Sequence, residues 1–577
     1  MSPADDNDDR PLPTPRLAVA LLAALAVAVT VGNLWWHSTH PAPVFDIHQL
    51  PLIAVDQIDR FIDHPIMEAA AVLWHMPRPH ECLYNLTAAP FLLLSRTHPG
   101  LAITSTFFYL VAMLLVFAIA KRVTGDPWAG LIGATAFALT PAAFGWSRIF
   151  LPFTTSMAFS AAGVWLLTHA QGFTRAGPTL ALAVLALFAS VLGEAVGDNA
   201  PLLVIYAATG AYVFALRLRE PGPGRTRALL LVGMAAMIVI AFGNKPYLRF
   251  ALEYVGEQGD EYAATGGNVL QNPMAIFAYA RVLATHILQP FFALLTIGAV
   301  ALLITKRTWR GTPPAVARRR DEILILVWLL APLLVQSLIV KKHYKYVLAL
   351  VPACAALIGV ASARLPVMGR RALAAAVLVV GGGMYVALSL GAIPALDGGL
   401  RPGGAFKHGM QPVHLPPAPD DPMGRWVRRV VEESADEAHP AGVFVASAGF
   451  HRDAYVLSYL FKLADPDRRV PVYNPIVELG HEAARRPLMP PPIPLRPTWI
   501  IDLFGRPDPR ANPQFADIES VKHALMEDPA VRQGQTVPIE LLDGIALQLL
   551  AAYQSIDWDN YEQRMPIGAA RVYRRAE

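Results

Sequence analysis

The sequence predicts a polytopic α-helical membrane protein that carries a smaller α/β domain at its C-terminal end. Three observations support that reading. Of 577 residues, 54% are hydrophobic and only 16% are charged, and mean hydropathy is +0.40, too apolar for an ordinary soluble protein. Long apolar runs recur over the first two thirds of the chain, at lengths near the roughly 20 residues that cross a bilayer. After residue 391 the composition turns Gly- and Pro-rich and then alternates between strand and helix patterns. The net charge of +4 is small for this length and no basic arm is present, so nucleic acid is not expected as a partner. Cys82 falls in a loop and Cys354 in an apolar run, so neither a disulfide nor a Cys-rich metal motif is expected.

The polar N-terminus, residues 1–16, holds Asp5, Asp6, Asp8 and Asp9. The apolar run 17–34 follows and ends at Trp35-Trp36, an aromatic pair suited to the membrane interface. It lacks a small-residue cleavage site and reads as a retained anchor. Further apolar runs lie at 101–120, 128–144, 153–170, 178–193, 200–217, 228–243, 284–304, 323–340, 346–363 and 371–391, which makes about eleven spans. With the N-terminus in the cytoplasm, Lys121-Arg122, Arg175, Arg217, Arg219, Arg225, Arg227, the run from Lys306 to Arg320, Arg364, Arg370 and Arg371 all fall in cytoplasmic loops, as the positive-inside rule asks. An odd number of spans then puts the chain after 391 outside. The expectation is an integral plasma (inner) membrane protein with residues 1–391 as the transmembrane domain, 392–419 as a linker and 420–577 as an extracytoplasmic α/β domain.

The external loops are the informative ones. Loop 37–100 mixes Leu52, Ile58, Phe61, Ile62 and Ile66 with Asp56, Asp59, Arg60 and Asp63, and reads as one or two helices lying in the interface plane. Asp56, Asp59 and Asp63 fall at helical spacing, as a solvated face would. Loop 145–152 holds Arg148, and loop 194–199 holds Glu194 and Asp198. Loop 244–283 is the second long one. The last, between 339 and 347, holds Lys341, Lys342, His343 and Lys345, a basic cluster where an external loop is normally depleted of positive charge. In the C-terminal part, helices are expected at 423–433, 453–463 and 517–526, and strands at 442–447, 470–473, 499–504 and 569–573. It shows no phosphate-binding Gly-loop, no Gly-x-Ser-x-Gly and no His-Glu-x-x-His, and reads as a lid or acceptor-binding module.

Four segments carry a family resemblance. Asp46, in Val44-Phe45-Asp46-Ile47, follows the first span. His80-Glu81-Cys82-Leu83-Tyr84-Asn85 enters the second. Lys121-Arg122-Val123-Thr124-Gly125 is followed by the Ala-rich stretch 134–141, ending in Pro141, and by Ser147-Arg148. Finally, 332–352 places basic residues and Tyr346 before an apolar span containing Pro352. In order and spacing this resembles the GT-C class of membrane glycosyltransferases, especially its protein-mannosyltransferase and aminoarabinose-transferase branch, over roughly residues 17–391. The chain departs from the family pattern at Ile47, where a second acidic residue is common, at the Pro-Pro of the second segment, and after Arg148, where Leu151-Pro152-Phe153-Thr154 lacks an aspartate.

The resemblance implies transfer of a sugar from a polyprenyl-phosphate donor, with inversion, to an envelope glycan, lipid or protein acceptor on the outer face. Such a reaction needs a base for the acceptor, cations for the departing phosphate and a means of alignment. Asp46 is the candidate base; its other reading is a helix N-cap. Lys341, Lys342, His343 and Lys345, helped by Arg148, are candidates for the phosphate, against ordinary anchoring to lipid headgroups. His80, Glu81 and Tyr84 could orient sugar or acceptor, or simply start a helix. Glu194 and Asp198 could hold a divalent cation or an amino group, or form a solvated turn. No cofactor is expected. Two rival readings are a non-catalytic relative of the same fold that binds membrane lipids, and an envelope-lipid transporter or flippase.

Overall fold

The structure is a computed structural model. It describes residues 15–40, 49–67, 83–194, 199–219, 222–243, 273–305, 313–338 and 344–390, and in the last third 422–435, 443–446, 452–465, 470, 472–473, 499–502, 516–526, 546–547, 550–551, 553–554, 561–567 and 570–575.

Apolar segments in a bilayer must satisfy every backbone N–H and C=O internally, which leaves the helix as their form. The first is α1 (Pro15–Thr39). In the loop behind it lies α2 (Gln49–Asp63). Then α3 (Leu83–Thr87) and α4 (Ala89–Leu94) lead into α5 (His98–Thr124). Helix α5 starts where Thr97 accepts from the Gly100 N–H at 3.2 Å. It stops at Gly125, whose φ of 74° is left-handed, a conformation that a side chain resists. Asp126 caps α6 (Pro127–Leu139), accepting from the Trp128 N–H at 2.9 Å. Next come α7 (Pro141–Trp146), the turn 147–152, α8 (Phe153–His169), α9 (Ala176–Glu194), α10 (Asn199–Leu218) and α11 (Pro223–Gly243). A 3-10 turn (Pro273–Phe277), α12 (Ala278–Val282) and a π turn (Leu283–Ile287) run into α13 (Gln289–Thr305). The bundle ends with α14 (Pro313–Leu338), a 3-10 turn (Tyr344–Leu350), α15 (Val351–Ser362) and α16 (Val367–Ser389).

Among the described residues α1, α5, the Arg319–Leu338 part of α14 and α16 are long and apolar enough to cross a membrane, and Ala176–Phe188, Leu202–Leu218, α13 and Tyr346–Ser362 are shorter apolar helices. Val27, Val31, Leu378 and Val379 are exposed on the outside of the bundle, where a lipid surround accommodates them. The chain is a multi-pass membrane protein. At its centre α5 packs on α6 and α8, and α15 crosses α6. Helices α6 and α15 meet backbone to backbone: a Cβ on Gly359 would stand 2.6 Å from the Ala129 carbonyl oxygen and 3.0 Å from the Gly133 Cα. Small residues permit such approach between membrane helices.

The bundle has two chemically distinct ends. At one, Arg370 pairs with Asp126. Glu322 accepts from Arg364 at 2.5 Å and lies 3.6 Å from Arg319, and Arg122 donates to the Thr168 carbonyl at 2.8 Å. These are residues that the charge pattern assigned to the cytoplasmic side. The sequence put Arg318, Arg319 and Arg320 in a loop, but α14 begins at Pro313 and carries all three. Pro313 and Pro314 suit a first helical turn, and Arg319 finds a partner in the Leu303 carbonyl at 3.0 Å. The opposite end gathers the tail of α1, the start of α5, the turn 147–152 and the tail of α16.

The last third forms a mixed five-stranded sheet. Its described elements are α17 (Pro422–Ala435), β1 (Val443–Ala446), α18 (Arg452–Ala464), β2 (Val472–Tyr473), β3 (Trp499–Asp502), α19 (Ile518–Met526), β4 (Tyr561–Ile567) and β5 (Ala570–Arg575). The strand order is β2-β1-β3-β5-β4. β1 runs parallel to β2 and β3, β5 runs antiparallel to β3, and β4 runs antiparallel to β5. Trp426, Val427 and Val430 of α17 pack on Leu457, Leu460 and Phe461 of α18. Strand β4 was not anticipated: its Glu562, Arg564 and Pro566 disguise it, and it is an edge strand, where proline and charge are tolerated. The linker 392–419 lies outside the described residues.

One expectation for loop 37–100 is overturned. Residues 51–58 of α2 are buried on every side, and of the three aspartates at helical spacing only Asp63 is exposed. Asp56 and Asp59 do not form a solvated face. Asp56 pairs with Lys462 of α18, and Asp59 takes a two-pronged pair from Arg96, both contacts at 2.8 Å. At Asp56 and Asp59 the polar side of α2 meets protein as well as water.

Candidate functional site

Arg148 is the centre of the site. It sits in the turn between α7 and α8 and is completely buried, at 0% exposure. Its Nε donates to Asn33 Oδ1 at 3.1 Å, and its Nη2 donates to Ser389 Oγ at 2.7 Å. Asn33 in turn donates through Nδ2 to Thr106 Oγ1 at 3.1 Å and to Ser147 Oγ at 2.7 Å. Thr106 donates to the Ser147 carbonyl at 2.8 Å. Thus α1, α5, the turn 147–152 and α16 are tied through one guanidinium and one amide.

Three aromatic faces surround the charge. The guanidinium carbon lies 5.1 Å from the ring centres of Phe144 and Tyr385 and 5.7 Å from that of Trp36, within the range of cation–π attraction. Tyr385 reaches the arginine because Gly32 of α1 gives way: a Cβ there would stand 2.2 Å from the Tyr385 hydroxyl. That hydroxyl interacts electrostatically with Arg148 without closing a hydrogen bond of good geometry. Among the described residues no carboxylate pairs with Arg148. Its Nη1 has no hydrogen-bond partner, and neither do the Trp36 indole N–H and both ring nitrogens of His37. His37 lies within electrostatic range of His98, His40 and Arg148, and Trp36 stacks on His40 with centroids 4.1 Å apart. A buried guanidinium that lacks an anionic partner is costly. The donors without partners beside it are its own Nη1 and the Trp36 indole N–H.

The sequence-derived candidates divide into those the structure describes and those it does not. Tyr84 is completely buried; its hydroxyl pairs with Ser105 Oγ at 2.9 Å, and its ring stacks on Phe150 with centroids 4.7 Å apart. Ser105 also donates to the Ile149 carbonyl at 2.5 Å, so Tyr84 braces the turn that holds Arg148. Lys345 lies in the 3-10 turn Tyr344–Leu350, which packs against α8. Glu194 ends α9. Asp46, His80, Glu81, Asp198, Lys341, Lys342 and His343 lie outside the described residues. Among the described residues no three His, Cys, Asp or Glu side chains gather so as to hold a metal ion. Sequence reasoning missed Asn33, Trp36, His37, Tyr385 and Ser389. Asn33 was the readable one, since an amide inside an apolar span marks a polar contact.

No family model matches the chain, and no curated protein matches it. Among solved structures the chain is similar to ArnT from Cupriavidus metallidurans bound to undecaprenyl phosphate, at 13% identity and a TM-score of 0.46, over 84% of this chain and 92% of that one. It is similar to the apo state of the same protein, at 13% identity and a TM-score of 0.45 over the same shares.

Proposed function

We propose that the chain is an integral membrane glycosyltransferase of the GT-C type. It takes a sugar from a polyprenyl-phosphate donor on the extracytoplasmic face and passes it, with inversion, to an envelope glycan, lipid or protein. The observation that carries this reading is Arg148: a fully buried cation with no carboxylate partner among the described residues, one N–H that makes no hydrogen bond of good geometry, and three aromatic walls. It lies at the end of the bundle opposite the paired arginines, which positive-inside charge bias assigns to the outside.

In this reading an acceptor hydroxyl attacks the anomeric carbon from the face opposite the phosphate. Its proton passes to Asp46, six residues beyond His40 in sequence. The bond between the anomeric carbon and the phosphate oxygen breaks, and the electron pair leaves on the phosphate. Arg148, with Lys341, Lys342 and Lys345, neutralises the charge that develops there, in a dry site where such contacts act more strongly than in water. His80 and Glu81 orient the sugar, and Tyr84 holds the turn behind Arg148.

A non-catalytic lipid-binding relative is the second reading, favoured by Ile47, by the missing aspartate after Arg148 and by the closure of the protein around that arginine. The two readings separate in proteoliposomes supplied with a radiolabelled polyprenyl-phosphate sugar. Transfer by the intact chain, lowered about 10²–10⁴-fold in Asp46→Asn with donor binding retained, is the result expected of a base. Donor binding without any transfer by the intact chain would leave the lipid-binding reading standing alone.

A further inference from the structure

Helix α18 belongs to the C-terminal unit, yet two of its side chains belong to the core of the membrane bundle. Leu457, Leu460 and Phe461 face α17 and the sheet. Tyr459 and Leu463, one helical turn apart, pack into the bundle core instead. A helix that is apolar on two faces is buried between two bodies, and polar contacts fix its register. Lys462 pairs with Asp56 of α2. Arg96, already paired with Asp59, donates to the Lys462 carbonyl at 3.2 Å. Tyr459 is fully buried, its hydroxyl lies 3.0 Å from His98 Nδ1, and its ring meets the imidazole edge to face at 5.7 Å between centroids.

His98 opens α5, and Thr106, two turns further along that helix, accepts from Asn33 Nδ2 at 3.1 Å. Asn33 holds Arg148, and His37 lies one turn beyond it along α1. The route from the C-terminal unit to the buried guanidinium therefore runs from Tyr459 to His98 and along α5 to Thr106 and Asn33.

We propose that α18 is a structural part of the site, and that Tyr459 is a positioning residue which, through its hydrogen bond to His98, fixes the head of α5, the helix that carries Thr106 to Asn33 and so to Arg148. The kinetic part of the test rests on the glycosyltransferase reading; the structural part does not. The full chain is placed in lipid nanodiscs with Tyr459→Phe, which keeps the ring and removes only the hydroxyl. The expected result is kcat lowered about tenfold, as for a slightly misplaced group, with KM for the donor and the melting temperature unchanged. Hydrogen exchange without substrate should quicken only in the peptides covering 33–40 and 98–106. His98→Gln should behave alike, and the double variant should be no worse than either single one. A wild-type kcat in Tyr459→Phe, or additive losses in the double variant, would overturn the proposal. If the wild-type protein transfers no sugar, the glycosyltransferase reading falls and exchange alone decides: quickening confined to those two segments keeps Tyr459 as a positioning residue, and unchanged exchange removes it.

Discussion

The two ends of the helical bundle treat arginine differently. At the end assigned to the cytoplasm the described pairs match arginine with carboxylate: Arg364 with Glu322, Arg370 with Asp126. At the other end Arg148 is buried more deeply than any of these and has an amide, a serine hydroxyl and aromatic faces in place of an acid. A structural ion pair is complete in itself, because each partner cancels the other's desolvation cost only when both are present. Among the described residues Arg148 is held in place but meets no acid. In the proposed function, the comparison separates cations that maintain the fold from one kept available for an anion that arrives.

Three changes test this contrast, from the largest expected effect to the smallest. Arg148→Ala should lower sugar transfer by about 10²–10³-fold, the loss seen when a preorganised donor to developing charge is removed. Arg148→Lys should rescue little, because an ammonium cannot reproduce the planar fork that reaches Asn33 and Ser389 together. Steady-state transfer from labelled donor measures both, and near-normal rates in Arg148→Ala would erase the distinction between the ends. Glu322→Ala should instead cost about 3 kcal/mol of stability, by removing the buried carboxylate that accepts from Arg364. Thermal unfolding in detergent should show that loss, with turnover per folded molecule unchanged. Asp126→Ala removes both the cap of α6 and the partner of Arg370; Asp126 is more exposed than Glu322, so the loss should be about 1–2 kcal/mol, read in the same melting experiment.

The apolar runs gave the helical segments directly, because a bilayer permits few other forms. The basic loop residues group Arg122, Arg319, Arg364 and Arg370 on one side by charge alone, and their contacts agree with that grouping. Arg148 was singled out from Ser147-Arg148 following Pro141. Its surroundings were not readable, since Asn33 lies 115 residues away and Ser389 lies 241 away. Periodicity reports how polar a face is, not what covers it, so Asp56 and Asp59 read as wet when Lys462 and Arg96 meet them. The same blindness hid the second face of α18: Tyr459 and Leu463 look like ordinary members of one stripe until the bundle supplies a second apolar wall.

The contact between Gly133 and Gly359 has a mechanical consequence. Side chains normally act as bearings that let neighbouring helices slip or roll by an ångström or two. Where α6 and α15 touch through their main chains there are no bearings, and this pair would behave as a fixed keel. Any widening of the bundle would then have to come from helix pairs whose contacts are made by side chains.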